Sequence, residues 1–195
     1  MIDMKLERNA ATLDAGFPNI VLTGKMHAGK STVREYLTSV VGGYQHVSFA
    51  QPLKEMCAEL FPKPTREHYQ KFGMAVRDLD EDAWARLAAN KAELINATKG
   101  VPFVCDDCRF PNEVEFLRAL PKRTVFIDIN ASRAVRLNRL RETGRFEDES
   151  QLDAPSETAL DGDVYWENYW INNEDISKLE LFAKVNDIID KERRK

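Results

Sequence analysis

Short apolar runs alternate along this chain with longer stretches in which apolar residues recur every three or four positions. The runs Ile20–Thr23, His46–Phe49, Val101–Asp106, Thr124–Ile129 and Trp170–Asn172 have the length and side-chain character of buried strands. Helical spacing fills the intervals. Ser31–Val41 follows the first strand, and Pro52–Phe61 places Leu53, Met56, Cys57 and Leu60 on one face. Glu67–Val76, Glu81–Thr98, Asn112–Leu120 and Arg133–Glu142 read as further helices. Ile176–Lys191 carries Ile176, Leu179, Phe182, Val185, Ile188 and Ile189 at helical intervals. This alternation predicts an α/β fold of three layers, a mostly parallel five-stranded sheet with helices on both faces. The stretch Thr143–Asp163 is polar, acidic and poor in periodicity, and is expected to form a lid over a single domain spanning 1–195, with 1–18 as an N-terminal arm.

Composition narrows the picture. The chain has 195 residues, 43% of them hydrophobic, enough for one substantial core. Its 28 basic and 32 acidic residues leave a net charge of −4, which argues against broad nucleic-acid binding but leaves a local basic patch open. No apolar run reaches membrane-span length, so no membrane partner is expected. Met1–Asn19 lacks the apolar core of a signal peptide, and a cytoplasmic setting follows as the expectation. Cys105 and Cys108 form a C-x-x-C pair. With no second pair and a strand ending at Cys105, they are read as structural thiols rather than a redox or metal site.

Candidate chemistry begins immediately after the first strand. Gly24-Lys25-Met26-His27-Ala28-Gly29-Lys30-Ser31 fits G-x-x-x-x-G-K-[ST], the phosphate-binding loop of P-loop NTPases. An apolar strand precedes it and a helical run follows, as the physics requires. Backbone N–H groups in such a turn make an anion site. Lys30 would reach the β- and γ-phosphates, and the Ser31 hydroxyl, beside Thr32, would ligate Mg²⁺. Nucleotide binding is therefore expected, with ATP and Mg²⁺ as the cofactors.

The apolar run ending at Cys105 passes into Asp106-Asp107. A carboxylate at a strand end beside the phosphate loop can help hold Mg²⁺. One of the two acids is read as capping the following turn and the other, with Asp107 preferred, as the metal carboxylate. Arg109 can bind phosphate bidentately, or pair with Glu113 or Asp107. A second basic group comprises Arg133, Arg136, Arg139, Arg141 and Arg145, with Arg133 and Arg136 on one helical face. Such arginines can close over the charge that develops in phosphoryl transfer, or simply form a solvated face. Between the loop and the acidic strand end lie Phe49, Pro52, Lys54, Arg66, Gln70, Gly73, Arg77 and Trp84. Lys54, Arg66 and Arg77 could hold an acceptor phosphate, Gln70 could read a base edge, and Phe49 or Phe72 could stack on a base.

Together these motifs resemble the bacteriophage-type deoxynucleoside monophosphate kinases, a branch of the P-loop kinases. The matching pieces are Thr23-Gly24 through Ser31, Phe49-Ala50-Gln51-Pro52-Leu53-Lys54, Arg66 through Gln70 with Gly73 and Arg77, and Trp84. Asp107-Cys108-Arg109-Phe110-Pro111-Asn112-Glu113, Ser156-Glu157 and Ile171-Asn172 complete them. The resemblance implies Mg·ATP as donor and a small-molecule nucleotide, a deoxynucleoside monophosphate, as acceptor. It implies that Gly24, Gly29, Lys30 and Ser31 hold the donor phosphates. It places Lys54, Arg66, Gln70, Arg77, Asp107 and Arg109, with Glu113, toward the acceptor or transfer zone, and Arg133 and Arg136 on the closing side. A homodimer is compatible with it. The family often has a histidine shortly before the Ser/Thr-Glu pair. Here Leu152-Asp153-Ala154-Pro155 stands instead.

Two other readings stay open at this point. One is a P-loop kinase acting on a 5-hydroxymethyl pyrimidine nucleotide, free or in DNA. The other is a nucleotide-dependent switch without acceptor chemistry.

Overall fold

The computed structural model describes residues 16–142, 155–161 and 168–195. Most of the expected lid, Arg145 and the first fifteen residues of the expected arm lie outside the described residues.

The five strands are β1 (Asn19–Thr23), β2 (Gln45–Val47), β3 (Phe103–Cys105), β4 (Thr124–Asn130) and β5 (Tyr169–Asn172). They form one sheet in the order β2-β3-β1-β4-β5, and every neighbouring pair is parallel. Parallel neighbours cannot be joined by tight hairpins, so each connection crosses a face of the sheet and usually carries a helix. Those helices cover both faces, which is why the central strands read as unbroken apolar runs. All five residues of β1 are buried.

Side chains alternate across the sheet and so build two cores. Ile20 and Leu22 of β1, Val104 of β3 and Val125, Ile127 and Ile129 of β4 enter one core. There they join Val33 of α1 (Lys30–Glu35) and Leu181, Val185 and Ile189 of α8 (Lys178–Arg193). Val21, Phe103, Cys105 and Phe126 point the other way. They meet α4 (Ala83–Lys99) through Ala85, Ala88, Ala89 and Ala92, and α5 (Pro111–Arg118) through Val114 and Leu117. The alanine face of α4 lets its backbone approach the sheet closely. The remaining helices are α2 (Ala50–Leu60), α3 (Arg66–Leu79), α6 (Arg133–Glu142) and the short α7 (Pro155–Thr158).

One predicted helix changes character partway. The run expected as Ser31–Val41 is α-helical only to Glu35 and then widens into a π-helical turn, Tyr36–Val41. Thr38 Oγ donates back to the carbonyls of Arg34 (3.0 Å) and Glu35 (3.3 Å), a competition that disturbs the helical ladder. Tyr36 stacks on Phe182 of α8 at 4.1 Å between ring centroids, packing that accompanies the wider turn. No helix among the described residues is long and apolar enough to cross a membrane.

The parallel arrangement places the C-terminal ends of the strands on one side. The glycine loop follows β1, Asp106 and Asp107 follow β3, and Asn173 follows β5. Ligands of open α/β sheets bind at this edge, where the strand order reverses.

Candidate active site

The loop between β1 and α1 has the backbone geometry of an anion cradle. Gly24 and Gly29 adopt φ +111° and +116°, in the region that favours glycine. A Cβ at Gly24 would sit 2.2 Å from the Ile129 carbonyl oxygen, and one at Gly29 would sit 2.4 Å from Asn173 Nδ2. His27 holds φ +61° without being glycine. Lys30 folds back under the loop, its Nζ donating to the carbonyls of Gly24 (2.5 Å) and Lys25 (2.9 Å). Burial and the nearby Arg109 charge lower the Lys30 ammonium to about 8, while Asp106 and Asp128 pull the other way. The His27 imidazole is also pushed below its ordinary value, by burial first and then by Lys30, Arg136 and Arg139.

A cavity of about 680 Å³ opens above this loop. Met26, His27, Gly29, Lys30, Ser31 and Thr32 line its loop side. Asp106, Asp107 and Arg109 form a second wall, and Arg139, Glu142, Asn173, Ile176, Lys178 and Leu181 a third. Ala28, within the loop, is buried, and Lys25 points to Asp161 at 2.7 Å.

The two aspartates are already engaged, and differently. Asp106 accepts from Arg34 Nε (3.0 Å) and meets His46 Nε2 (2.9 Å). Burial alone would raise its carboxyl; the His46 hydrogen bond and the His46 and Arg34 charges outweigh that and hold it at about 2. Asp107 accepts from Ser48 Oγ (2.6 Å), Phe49 N (3.0 Å), Ala50 N (3.1 Å) and, weakly, Cys105 Sγ (3.4 Å). It therefore caps the N-terminus of α2 from just past the end of β3, taking the Phe49 and Ala50 amides, while Ser48 Oγ accepts from Gln51 N (3.2 Å). Cys57, Cys105 and Cys108 are free and buried, and burial pushes the Cys105 and Cys108 thiols well up.

Arg109 faces both this cavity and a smaller one of about 150 Å³ beside it. Phe49, Ala50, Leu53, Gly73, Arg77, Trp84, Asp107, Phe110 and Glu113 line the smaller space with Arg109. Glu113 is 2% exposed and organises its polar end. Its Oε2 accepts from the Arg109 (2.7 Å) and Phe110 (3.2 Å) amides, capping α5 behind Pro111. Its Oε1 accepts from Arg77 Nη2 (3.3 Å), and the Arg77 guanidinium lies 4.4 Å from the centroid of Phe110. Trp84 closes the floor by donating Nε1–H to the Gly73 carbonyl (3.2 Å). Of the sequence-predicted acceptor residues, Phe49, Arg77, Arg109 and Glu113 thus gather here. Lys54, Arg66 and Gln70 stand exposed on α2 and α3 and line neither cavity.

The α6 arginines grip the loop from behind. Arg136 is buried, donating Nε–H to Ala131 O (3.2 Å) with Nη1 at 3.5 Å from Met26 O. Arg139 donates to His27 O and Ala28 O (both 3.3 Å) and to Asn173 O (2.7 Å). Arg133 is exposed at the start of α6 and lines neither cavity. Besides Asp161 on Lys25, Asn173 and Glu157, outside the sequence-predicted site residues, also touch the loop. Asn173 is buried and donates Nδ2–H to Ala28 O at 2.7 Å. Glu157 of α7 accepts the Met26 amide at 2.5 Å and pairs with Arg109. The asparagine carries no signal in a sequence pattern; the glutamate belongs to the Ser156-Glu157 pair of the resemblance.

A parallel sheet in this order, with a glycine-and-lysine loop at the end of its central strand, defines the P-loop kinase fold. The chain belongs to the AAA domain family, whose model matches residues 20–160. It is similar to a sugar kinase from Janibacter sp. HTCC2649 (TM-score 0.58, 16% identity, covering 89% of this chain and 95% of that one). It is similar also to shikimate kinase from Acinetobacter baumannii in complex with shikimate (TM-score 0.56, 18% identity, 92% and 96% covered). A gluconokinase from Sinorhizobium meliloti 1021 matches likewise (TM-score 0.57, 19% identity, 90% and 95% covered). At these identities the likeness is one of fold. A curated relative, uncharacterized protein ORF77 of Ictalurid herpesvirus 1 (strain Auburn), is 32% identical over 112 residues. Those residues are 55% of this chain and 49% of that protein, so the chain spans about half the length of the curated relative it matches.

Proposed function

We propose that this chain transfers the γ-phosphoryl group of Mg·ATP to a deoxynucleoside monophosphate, giving ADP and a deoxynucleoside diphosphate. The observation that carries the proposal is the pair of adjoining cavities that share Asp107 and Arg109. One has the backbone and lysine of a phosphate cradle. The other has an aromatic wall, Phe49 and Phe110, beside the guanidinium of Arg77. Donor and acceptor would meet at Arg109.

Phosphoryl transfer to an acceptor phosphate needs no strong base, because the attacking oxygen is already ionised. Positioning and charge neutralisation supply the rate. Lys30 would leave its two carbonyl partners for the donor phosphates, and Arg109 would neutralise the group in transit. Arg77, held by Glu113, would hold the acceptor phosphate. Arg133 and Arg136 belong to the closing side in this scheme, with Arg136 acting through the loop backbone that it touches. The residues present fit a Mg²⁺ that arrives with the nucleotide. The Ser31 hydroxyl and an Asp107 or Asp106 carboxylate line one cavity, and hard oxygen donors suit that ion. The ion would offset phosphate charge.

The acceptor cavity of about 150 Å³ is smaller than the roughly 300 Å³ at which ligand pockets usually begin. The α2–α3 pair therefore has to open for a nucleotide. In this scheme the exposed Lys54, Arg66 and Gln70 reach the acceptor once the pair has moved. The test is ADP formation from Mg·ATP with dAMP, dGMP, dCMP, dTMP, 5-hydroxymethyl-dUMP and DNA containing 5-hydroxymethyluracil. Stimulation by an unmodified monophosphate, lost in Lys30→Ala, is the expected result. Stimulation by the hydroxymethylated DNA alone would move the acceptor to a hydroxyl group in a polymer. ATP hydrolysis indifferent to every acceptor would refute transfer and favour the switch.

A further inference from the structure

Glu157 is 6% exposed and its side chain about 1%, yet it belongs to neither core. Its Oε2 takes the backbone N–H of Met26, inside the glycine loop, and its other oxygen pairs with Arg109. Both partners line the large cavity. A backbone amide of an anion cradle and a guanidinium at the transfer point are donors that a phosphate oxygen would use. The carboxylate thus makes, from within the chain, contacts suited to a phosphate. Four residues further on, Asp161 pairs with Lys25 of the same loop at 2.7 Å, so the α7 segment is tied to the loop twice.

We propose that Glu157 is an internal stand-in for a donor phosphate. In the nucleotide-free protein its carboxylate occupies the Met26 amide and the Arg109 guanidinium. Nucleotide displaces it, which frees Arg109 for the phosphoryl group and lifts α7 from the loop. Two anions cannot share one amide hydrogen, and their mutual repulsion makes the choice exclusive. Donor occupancy and the position of α7 then form one two-state equilibrium. Apparent nucleotide affinity is reduced by the fraction of molecules in which the carboxylate is seated. The proposal rests on nucleotide phosphates entering the glycine loop and is independent of the acceptor.

The experiment compares wild type with Glu157→Gln, Glu157→Asp and Asp161→Asn by titration with Mg·ADP and by thermal melting with and without it. A seated fraction of about nine in ten predicts about tenfold tighter Mg·ADP binding in E157Q. Its melting point should fall without nucleotide and match wild type at saturating Mg·ADP. E157D keeps the charge but is one methylene shorter, so it should also bind more tightly. D161N, which cuts only the exposed pair, should change affinity less than about twofold. If E157Q melted lower in both states and bound no more tightly, Glu157 would be a brace retained in the loaded protein, and the proposal would fall. Tighter binding by E157Q with unchanged nucleotide-free melting and no effect of E157D would reduce the effect to a neighbouring charge, which also overturns it. A wild-type protein that bound no Mg·ADP would remove the nucleotide reading itself.

Discussion

Asp107→Asn changes almost nothing in shape and tests what this carboxylate does. In the structure Oδ1 accepts from the Phe49 amide and Oδ2 from Ser48 Oγ and the Ala50 amide, at 2.6 to 3.1 Å. An asparagine can present one oxygen. If that oxygen stays on Phe49, the new NH₂ faces the Ser48 hydroxyl, which can rotate to accept, and the Ala50 N–H, which cannot. One hydrogen bond to a charged group is lost, worth about 1.5–3 kcal/mol. Removing a negative charge from the first turn of α2 adds about 0.3–1 kcal/mol. The total is about 2–4 kcal/mol, or about 5–15 °C in melting temperature for a chain of this size. Because α2 carries Ala50 and Leu53 of the smaller cavity, acceptor KM should rise as well. Melting and steady-state kinetics, run across Mg²⁺ concentrations, give the answer. A melting point unchanged within about 1 °C would refute the capping role; an altered Mg²⁺ requirement with stability intact would make Asp107 a metal residue alone.

Other expectations follow from the same geometry. Lys30 is lowered to about 8 by burial, and donor phosphates will raise it, so Mg·ADP binding at pH 8.5–9 should take up a proton; calorimetry in buffers of different ionisation enthalpy measures this, and Lys30→Met should abolish it. The Lys30 value also makes stability rise with pH between about 8 and the ordinary 10.5, because there the unfolded chain binds more protons. Asp106 acts with the same sign in a lower window. Its folded value of about 2 lies below the ordinary 3.8, so its stabilisation is present above pH 4 and lost as pH falls toward 2. Discounted for solvent, that is about 1–2 kcal/mol, and Asp106→Asn should flatten the acid limb of a urea-midpoint profile. Gly29→Ala forces a Cβ against Asn173 Nδ2 at positive φ and should weaken nucleotide binding at least about tenfold. Trimming the partner in Gly29→Ala/Asn173→Ala should recover part of the stability loss in a double-mutant cycle.

Much of the fold was legible because its signals are local. The strand at Ile20 and the glycine loop stand next to each other in sequence, and a five-residue buried run has few alternatives in an α/β chain. The order of the strands was not legible, since β1 lies between β3 and β4 through crossovers that no local pattern records. The same distinction runs through the site. Lys30 and Ser31 could be named because the loop carries its own spacing. Asp107 drew attention as an acid after a strand, yet its partners at Ser48, Phe49 and Ala50 lie nearly sixty positions away, and a capping carboxylate from elsewhere has no signature at the helix it caps. Arg136 and Arg139 share a helical face that the sequence displays, but nothing in that spacing says that they bind carbonyl oxygens. The wide turn at Tyr36 also escaped, because it goes with a ring stacked across from α8.

The grip of α6 and Asn173 on the loop has a consequence for how the protein matures. Arg139 reaches the His27 carbonyl across 112 positions of sequence, and Asn173 reaches Ala28 across 145. A cradle for phosphate works only when its peptide planes are turned so that the N–H groups face inward, and here the outward carbonyls are held by the last third of the chain. The motif is thus encoded early but assembled late. During synthesis the first half emerges with every glycine and lysine of the loop in place and nothing to orient them, so nucleotide capture should mark the completion of folding rather than guide its beginning.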